Sequence, residues 1–323
     1  MLKVYLPGPT GAQLVPCAEG DRLPARPLWI DLLEPVAHES RTVEKLLGIE
    51  IPTREEQQEI EMSSRLYEEN GSLFMTAMMV FKADTPHPES TAITFILAGD
   101  TLVTLRYADP QPFRVVAGRA ERTPALCRGG RAVLFALLDA IIDRTADILE
   151  RVGADIDGIS RAIFDASTDS RPKIDLRATL RRIGRNGDIA TQSRESLLTV
   201  DRLLLFLAQA PVENEKKELR SRAKNIDRDV RSLSDQAAFL SNKVNFLLDA
   251  TLGLINIEQN AIIKIFSIAA VVFLPPTLIA SVYGMNFELM PELKWAFGYP
   301  FALALMVISA IIPLAIFKRR GWL

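Results

Sequence analysis

The sequence predicts an α+β membrane protein. An N-terminal α/β cytoplasmic domain leads into an antiparallel helix pair. A very long stalk helix follows and continues into the first of two C-terminal transmembrane helices. Three observations predict this. Short β-branched runs separated by turns fill the first 128 residues, apolar residues at three-and-four spacing dominate from about Arg131, and two charge-free runs lie near the C-terminus. The totals hide this division. The chain has 323 residues, 48% hydrophobic and 24% charged, with a formal net charge of -2. A soluble domain has about the same apolar and charged fractions. The mean hydropathy of +0.13 is nonetheless positive, which suggests that apolar residues gather somewhere.

Several classes are excluded. Disorder needs low hydrophobicity or high net charge. A disulfide scaffold needs more than Cys17 and Cys127, which are expected to be reduced. A pI near 5.9 disfavours nucleic acid as a partner. A charged fraction of 24% leaves little room for a many-helix transporter. The start, Met1 to Gly8, lacks the apolar core of a signal peptide and is expected to be cytosolic. His38 and His87, taken with the two cysteines, show no zinc-ligand spacing.

Residues 1–128 form the α/β domain. Strands are expected at Leu2–Leu6, Leu28–Leu32, Ser72–Phe81, Thr91–Leu97 and Thr101–Tyr107, punctuated by Gly71, Gly99 and Asp100. His38–Leu47 reads as a helix stopped by Gly48. Thr53 reads as the N-cap of another, with Glu56 as its capping-box partner. No phosphate loop and no nucleophile–base constellation is present, so an enzyme is not expected.

Residues 129–210 form the helical hairpin, from Ala132–Phe164 and Ile174–Leu207 with a turn at Arg171-Pro172. Asp155, Asp157, Asp165 and Asp169 lie toward that turn. They read as a solvated helix end, with a cation-attracting tip as the sharper alternative. Residues 211–264 form the stalk helix. Leu219, Ala223, Ile226, Val230, Leu233, Ala237, Leu240, Val244 and Leu247 mark an unbroken a/d seam, which argues packing along a stalk. A helix on the order of 100 Å long needs neighbours, so oligomerisation is the natural inference.

The spans are 265–283 and 297–317, each about 20 residues, enough to cross roughly 30 Å of hydrocarbon. The 284–296 segment between them is an external loop, and 318–323 is a basic tail. Lys318, Arg319 and Arg320 follow the second span and Lys264 precedes the first. The loop has Lys294 against Glu288 and Glu292. Both termini are therefore expected in the cytoplasm. Trp295, Tyr299 and Trp322 sit at span ends, where amphipathic aromatics favour the interface.

One stripe of the first span is polar or small. From Asp249 it passes Gly253, Asn256, Asn260, Ile263, Ser267, Ala270, Leu274, Thr277 and Ser281. Small residues also suit plain helix contacts. Asn260 and Thr277 suit a water-filled interior better. Two helices cannot enclose a channel, but a symmetric ring of copies can. Pro275-Pro276 removes two backbone donors, so a kink and freed carbonyls near Val271 and Val272 are expected.

The first span ends in YGMNFELMPELKWAFGYP, and the chain ends in KRRGWL. GMN after a penultimate span, followed by MPEL, resembles the CorA family of magnesium transport proteins, over the whole chain. The resemblance implies a funnel-shaped homopentamer in the inner (plasma) membrane, gated by intracellular magnesium. It implies no prosthetic group, with Mg2+ as both transported and regulatory ion. Tyr283, Gly284, Met285 and Asn286 would form the selectivity mouth, with Asn286 matching the asparagine of the triplet. Asn260 and Thr277 would be polar rings, and Ile263, Phe266 and Leu274 apolar constrictions. Ser267, Ala270 and Ser281 complete the pore lining. Asp249 would be a regulatory magnesium site, completed by Asp84 or Glu89 of a neighbouring copy.

The chemistry agrees with this. Magnesium dehydrates reluctantly and keeps several waters, so amide and carbonyl oxygens can hold it through its water shell. Direct carboxylate ligation would oppose release. Glu288 and Glu292 would concentrate cations at the mouth. Cobalt and nickel are further candidate ions. The alternatives are a zinc transporter of the same superfamily and a membrane-tethered coiled-coil scaffold or signalling protein. No His or Cys near either span supports zinc.

Overall fold

The computed structural model describes residues 1–8, 11–15, 23–59, 61–165, 175–210, 217–285 and 290–320. The elements run β1 (Leu2–Pro7), β2 (Ala12–Val15), β3 (Trp29–Leu33), α1 (Ala37–Leu47), α2 (Arg54–Gln58), α3 (Met62–Arg65), β4 (Leu66–Glu69), β5 (Ser72–Phe81), β6 (Glu89–Ala98) and β7 (Thr101–Arg106). Five helices follow: α4 (Gln111–Ala120), α5 (Gly130–Asp165), α6 (Leu176–Gln209), α7 (Lys217–Tyr283) and α8 (Gly298–Arg319). The chain divides into two compact units, Met1–Leu248 and Asp249–Leu323.

In the first unit, seven strands form one sheet in the order β2-β1-β3-β7-β6-β5-β4. All pairs are antiparallel except β3 with β7. This central parallel pair is buried on both faces, with apolar residues toward one side and Trp29, Asp31, Thr104 and Arg106 toward the other. On one face Val4, Ile30, Leu32, Phe74, Ile96, Val103 and Leu105 pack with Val43 of α1 and with Ile49 and Ile51. On the other, Phe113 of α4 sits between Trp29 and Phe95, at ring-centroid distances of 6.5 and 6.4 Å.

That second face also buries a charge network. Arg106 and Asp31 are each 2% exposed and pair bidentately at 2.9 and 2.8 Å. Thr104 Oγ1 donates to Asp31 at 2.8 Å, and Trp29 Nε1 donates to Thr104. Burial works against the guanidinium charge, but hydrogen bonds to Asp31 and Asp109 hold the Arg106 pKa above its ordinary value. The network ties β3 to β7 and to the start of α4.

Local signals act as the sequence implies. α1 ends at Gly48 in the left-handed conformation, φ 68. At α2, Glu56 N–H donates to Thr53 Oγ1 at 3.3 Å and Thr53 N–H donates to the Glu56 carboxylate at 2.7 Å. The helix then seats Gln57, whose Nε2 donates to Thr94 and to the Leu105 carbonyl. Thr53→Ala is expected to cost about 1 kcal/mol and raise hydrogen exchange of the α2 amides about five-fold. Unchanged exchange would mean that Gln57 alone holds the helix.

The stalk seam finds a nearer partner than the sequence suggested. Ile226, Val230, Ala237, Leu240, Val244 and Leu247 are buried within the chain itself. They pack on the hairpin, where glycines admit them. A Cβ added at Gly153 of α5 would lie 3.7 Å from Leu240, and one at Gly187 of α6 would lie 3.1 Å from Val244. Ion pairs of Arg222 with Asp139 and of Lys243 with Asp157 bind the same helices. The seam therefore satisfies the hairpin and does not by itself demand a second copy.

The second unit holds the rest of α7, a 3₁₀ turn at Pro291–Lys294 and α8. α7 has 67 residues and runs through Pro275 and Pro276 without a break. Both α7 and α8 contain a stretch long and apolar enough to cross a membrane. A core helix of a soluble protein would bury that stretch. Here none of the α7 stretch is buried, and in α8 only Gly298 and Ala302 are.

Candidate functional site

The polar stripe lies wholly on α7. Its nine steps of three and four stay on one side because an α-helix has 3.6 residues per turn. Asp249, Asn256, Asn260, Ser267, Ala270, Thr277 and Ser281 are all exposed, and Gly253 is partly so. The rise from Asn260 to Thr277 is about 25 Å at 1.5 Å per residue, close to the depth of a hydrocarbon layer. Between them the stripe turns apolar at Ile263, 61% exposed, and again at Leu274, 65% exposed. Phe266, 71% exposed, lies one residue off the stripe.

The chemistry of the stripe is that of neutral oxygens. Asn260 offers an amide and Ser267, Thr277 and Ser281 offer hydroxyls. Thr277 Oγ1 donates to the Phe273 carbonyl at 2.7 Å, which leaves its lone pairs facing outward. Pro275 and Pro276 have no N–H, so the Val271 and Val272 carbonyls have no helical donor. Such oxygens suit a hard, hydrated cation. Among the described residues no three His, Cys, Asp or Glu side chains gather to hold a metal.

At the end of α7, Gly284 N–H donates to Ala280 O at 2.9 Å and Met285 N–H donates to Val282 O at 3.3 Å. A Cβ at Gly284 would stand 3.1 Å from the Ala280 carbonyl, so glycine lets this last turn close. Tyr283, Gly284 and Met285 are thereby placed. Asn286 and Glu288 lie outside the described residues, as does the side chain of Glu292.

The acidic candidates in the first unit are already paired. Asp84 is bound by Arg144 and Arg151, and Glu89 by Lys82 at 3.0 Å. Near the hairpin turn, burial would raise the Asp155 pKa, but hydrogen bonds from Arg182 and Asn186 outweigh it and hold the carboxyl below its ordinary range. The Lys243 hydrogen bond likewise lowers Asp157. These two acids read as structural ion pairs rather than a cation-attracting tip. The Asp165 side chain and all of Asp169 lie outside the described residues. The sequence reading missed these cations, although Arg144 and Arg151, seven residues apart on α5, share one helix face.

Comparison with known proteins decides the family. The family model described as CorA-like Mg2+ transporter protein matches residues 25–319. The chain belongs to the CorA family. Among its CorA relatives, the magnesium transport protein CorA of Yersinia pseudotuberculosis is 38% identical over 306 residues, covering 94% of each chain. That of Escherichia coli is 37% identical over 297 residues, covering 92% of each. The complete structure of the CorA magnesium transporter from Methanocaldococcus jannaschii matches the fold with a TM-score of 0.74 at 21% identity, over 100% of this chain and 99% of that one. The α/β sheet, hairpin, long helix and two apolar helices together are thus a CorA fold.

Proposed function

We propose that this chain is a magnesium channel that admits Mg2+ across the inner (plasma) membrane. Copies assemble as a homopentamer with the α7 stripe on the axis. Both termini lie in the cytoplasm and the 284–296 loop lies outside. Flux is passive, driven by the membrane potential, and cytoplasmic Mg2+ closes the pore. Cobalt and nickel share the path.

One observation carries this reading. A line of exposed amide and hydroxyl groups runs the depth of an otherwise apolar helix and ends at Tyr283-Gly284-Met285. Polar groups at that depth belong to a water-filled interior. The names of the relatives supply the ion. Asn286 binds the hydrated ion through its amide oxygen, while Glu288 and Glu292 raise the local cation concentration. Rings at Ile263, Phe266 and Leu274 gate by drying. Mg2+ at Asp249 joins neighbouring copies, and its loss lets them part. The pairing of Asp84 and Glu89 with their own cations favours hydrated Mg2+ shared between Asp249 carboxylates of neighbouring copies over either acid as the partner.

The purified protein in vesicles should take up Mg2+ when the interior is negative, with or without a proton gradient. No uptake would support a membrane-tethered scaffold, and proton-dependent zinc uptake would support a zinc transporter. Asp249→Lys should weaken protection against proteolysis by Mg2+. Superimposable protection curves would remove the regulatory role of Asp249.

A further inference from the structure

We propose that the cavity at the carboxyl ends of β3, β5 and β7 is a binding site for a nucleoside phosphate. The cavity measures about 580 Å³ and lies beside α2 and α3. That volume is in the range of small-molecule sites and exceeds what a lone inorganic anion needs. In open α/β sheets, ligands bind in the crevice beyond the carboxyl ends of the strands. β3 and β7 are the parallel pair of this sheet, and the residues that follow them, Glu34 and Tyr107, line the cavity.

The backbone around the cavity is strained and pinned. Among the described residues the non-glycine positions with positive φ are Glu34, Asn70 and Lys82. Asn70 belongs to the tight turn between β4 and β5. Glu34 and Lys82, at φ 45 and 55, both line the cavity. Glu34 N–H donates to the Arg106 carbonyl at 2.9 Å. Thr85 donates to the Lys82 carbonyl through both N–H and Oγ1, each at 2.9 Å. Strain held in place by such bonds gathers at ligand sites.

The walls match the two ends of the ligand. On the β7 side the Arg54 guanidinium lies over the Tyr107 ring, 5.2 Å from its centroid. A nucleobase stacks on such planar groups. On the β5 side stand Arg65 and Lys82, cations for a phosphate. Lys82 pairs with Glu89 at 3.0 Å, but both side chains are about half exposed. An exposed pair of this kind is weak enough for a phosphate to displace. Asp109, also in the wall, is neutralised by Arg106 and Arg114. The two sides are separated by β6, roughly 10 Å at the usual strand spacing. Ser90 of β6 lies between them, and its buried Oγ has no hydrogen-bond partner among the described residues. That hydroxyl is placed to meet the sugar or the phosphate.

This site stands apart from the pore reading, and its test needs no ion flux. Full-length protein in detergent is titrated calorimetrically with ADP, adenosine and inorganic phosphate. The buffer is free of magnesium, so that chelation by ADP does not imitate binding. ADP is expected to bind about ten-fold more tightly than adenosine or phosphate. Arg65→Gln with Lys82→Gln should weaken ADP about ten-fold, since contacts to a charged group are lost. Arg54→Ala should weaken it about five-fold through lost stacking. Arg54 is exposed, so this variant decides the matter if the double variant does not fold. No binding at millimolar ADP overturns the proposal. Phosphate or adenosine binding as tightly as ADP also overturns it, because one end of the ligand would then count for nothing. ADP affinity unchanged by Arg54→Ala places the nucleotide elsewhere and removes this site.

Discussion

Asn286→Ala should abolish Mg2+ uptake into vesicles while leaving the assembly intact. Alanine removes the amide oxygen that would hold the ion's water shell at the mouth. One such contact is worth about 1 kcal/mol. In the proposed five-fold ring the loss would repeat in every copy, so occupancy of the mouth would fall on the order of 10³-fold. Asn286→Gln keeps the amide on a longer stem and should retain part of the flux. The measurement is the initial rate of an entrapped magnesium indicator, alongside the mass of the protein in detergent. Flux within two-fold of the unmodified protein, at unchanged mass, would remove Asn286 from the pore.

Asp31→Ala should destabilise the first unit by about 3–5 kcal/mol, since it strips the buried Arg106 charge of its bidentate, equally buried partner. The guanidinium is 2% exposed and retains only Asp109 as an acidic partner. In a unit of this size the loss corresponds to about 10 °C in the melting temperature of the first unit. Replacing both partners, Asp31→Leu with Arg106→Met, should recover most of it, because two apolar side chains need no pairing. A single Asp31→Ala that melts within 2 °C of the unmodified protein would show that Asp109 suffices.

Much of the fold is legible in the residues, for identifiable reasons. Strands such as Ser72–Phe81 are long and bounded by glycine, and the Thr53–Glu56 capping box is a local signal with a local result. β2 and β4 have four residues each, too few for a pattern to stand out. α4 begins with Pro110 and Pro112 flanking its first position, which reads as a turn until Phe113 is seen in the core. The a/d seam of α7 was legible as a packing face, but its partner was not. Periodicity tells which side of a helix is covered and never by what. The notches at Gly153 and Gly187 and the ion pairs of Arg222 and Lys243 identify the hairpin.

The candidate site divides in the same way. The α7 stripe depends on spacing within one helix, which a sequence displays directly. The partners of Asp84 and Glu89 depend on chain segments brought together by folding. Arg144 lies 60 residues from Asp84 and belongs to another element. Acidic residues were therefore easier to nominate than to clear, since the cation that neutralises each one comes from elsewhere in the chain.

The buried α7 seam has a consequence for how the protein is made. The hairpin positions that meet this seam among the described residues, Gly153 and Gly187, have lower residue numbers, so they leave the ribosome first. The first unit can close on its own stalk before the apolar part of α7 emerges. Biogenesis can then proceed in two stages, with Met1–Leu248 closing first and Asp249–Leu323 following.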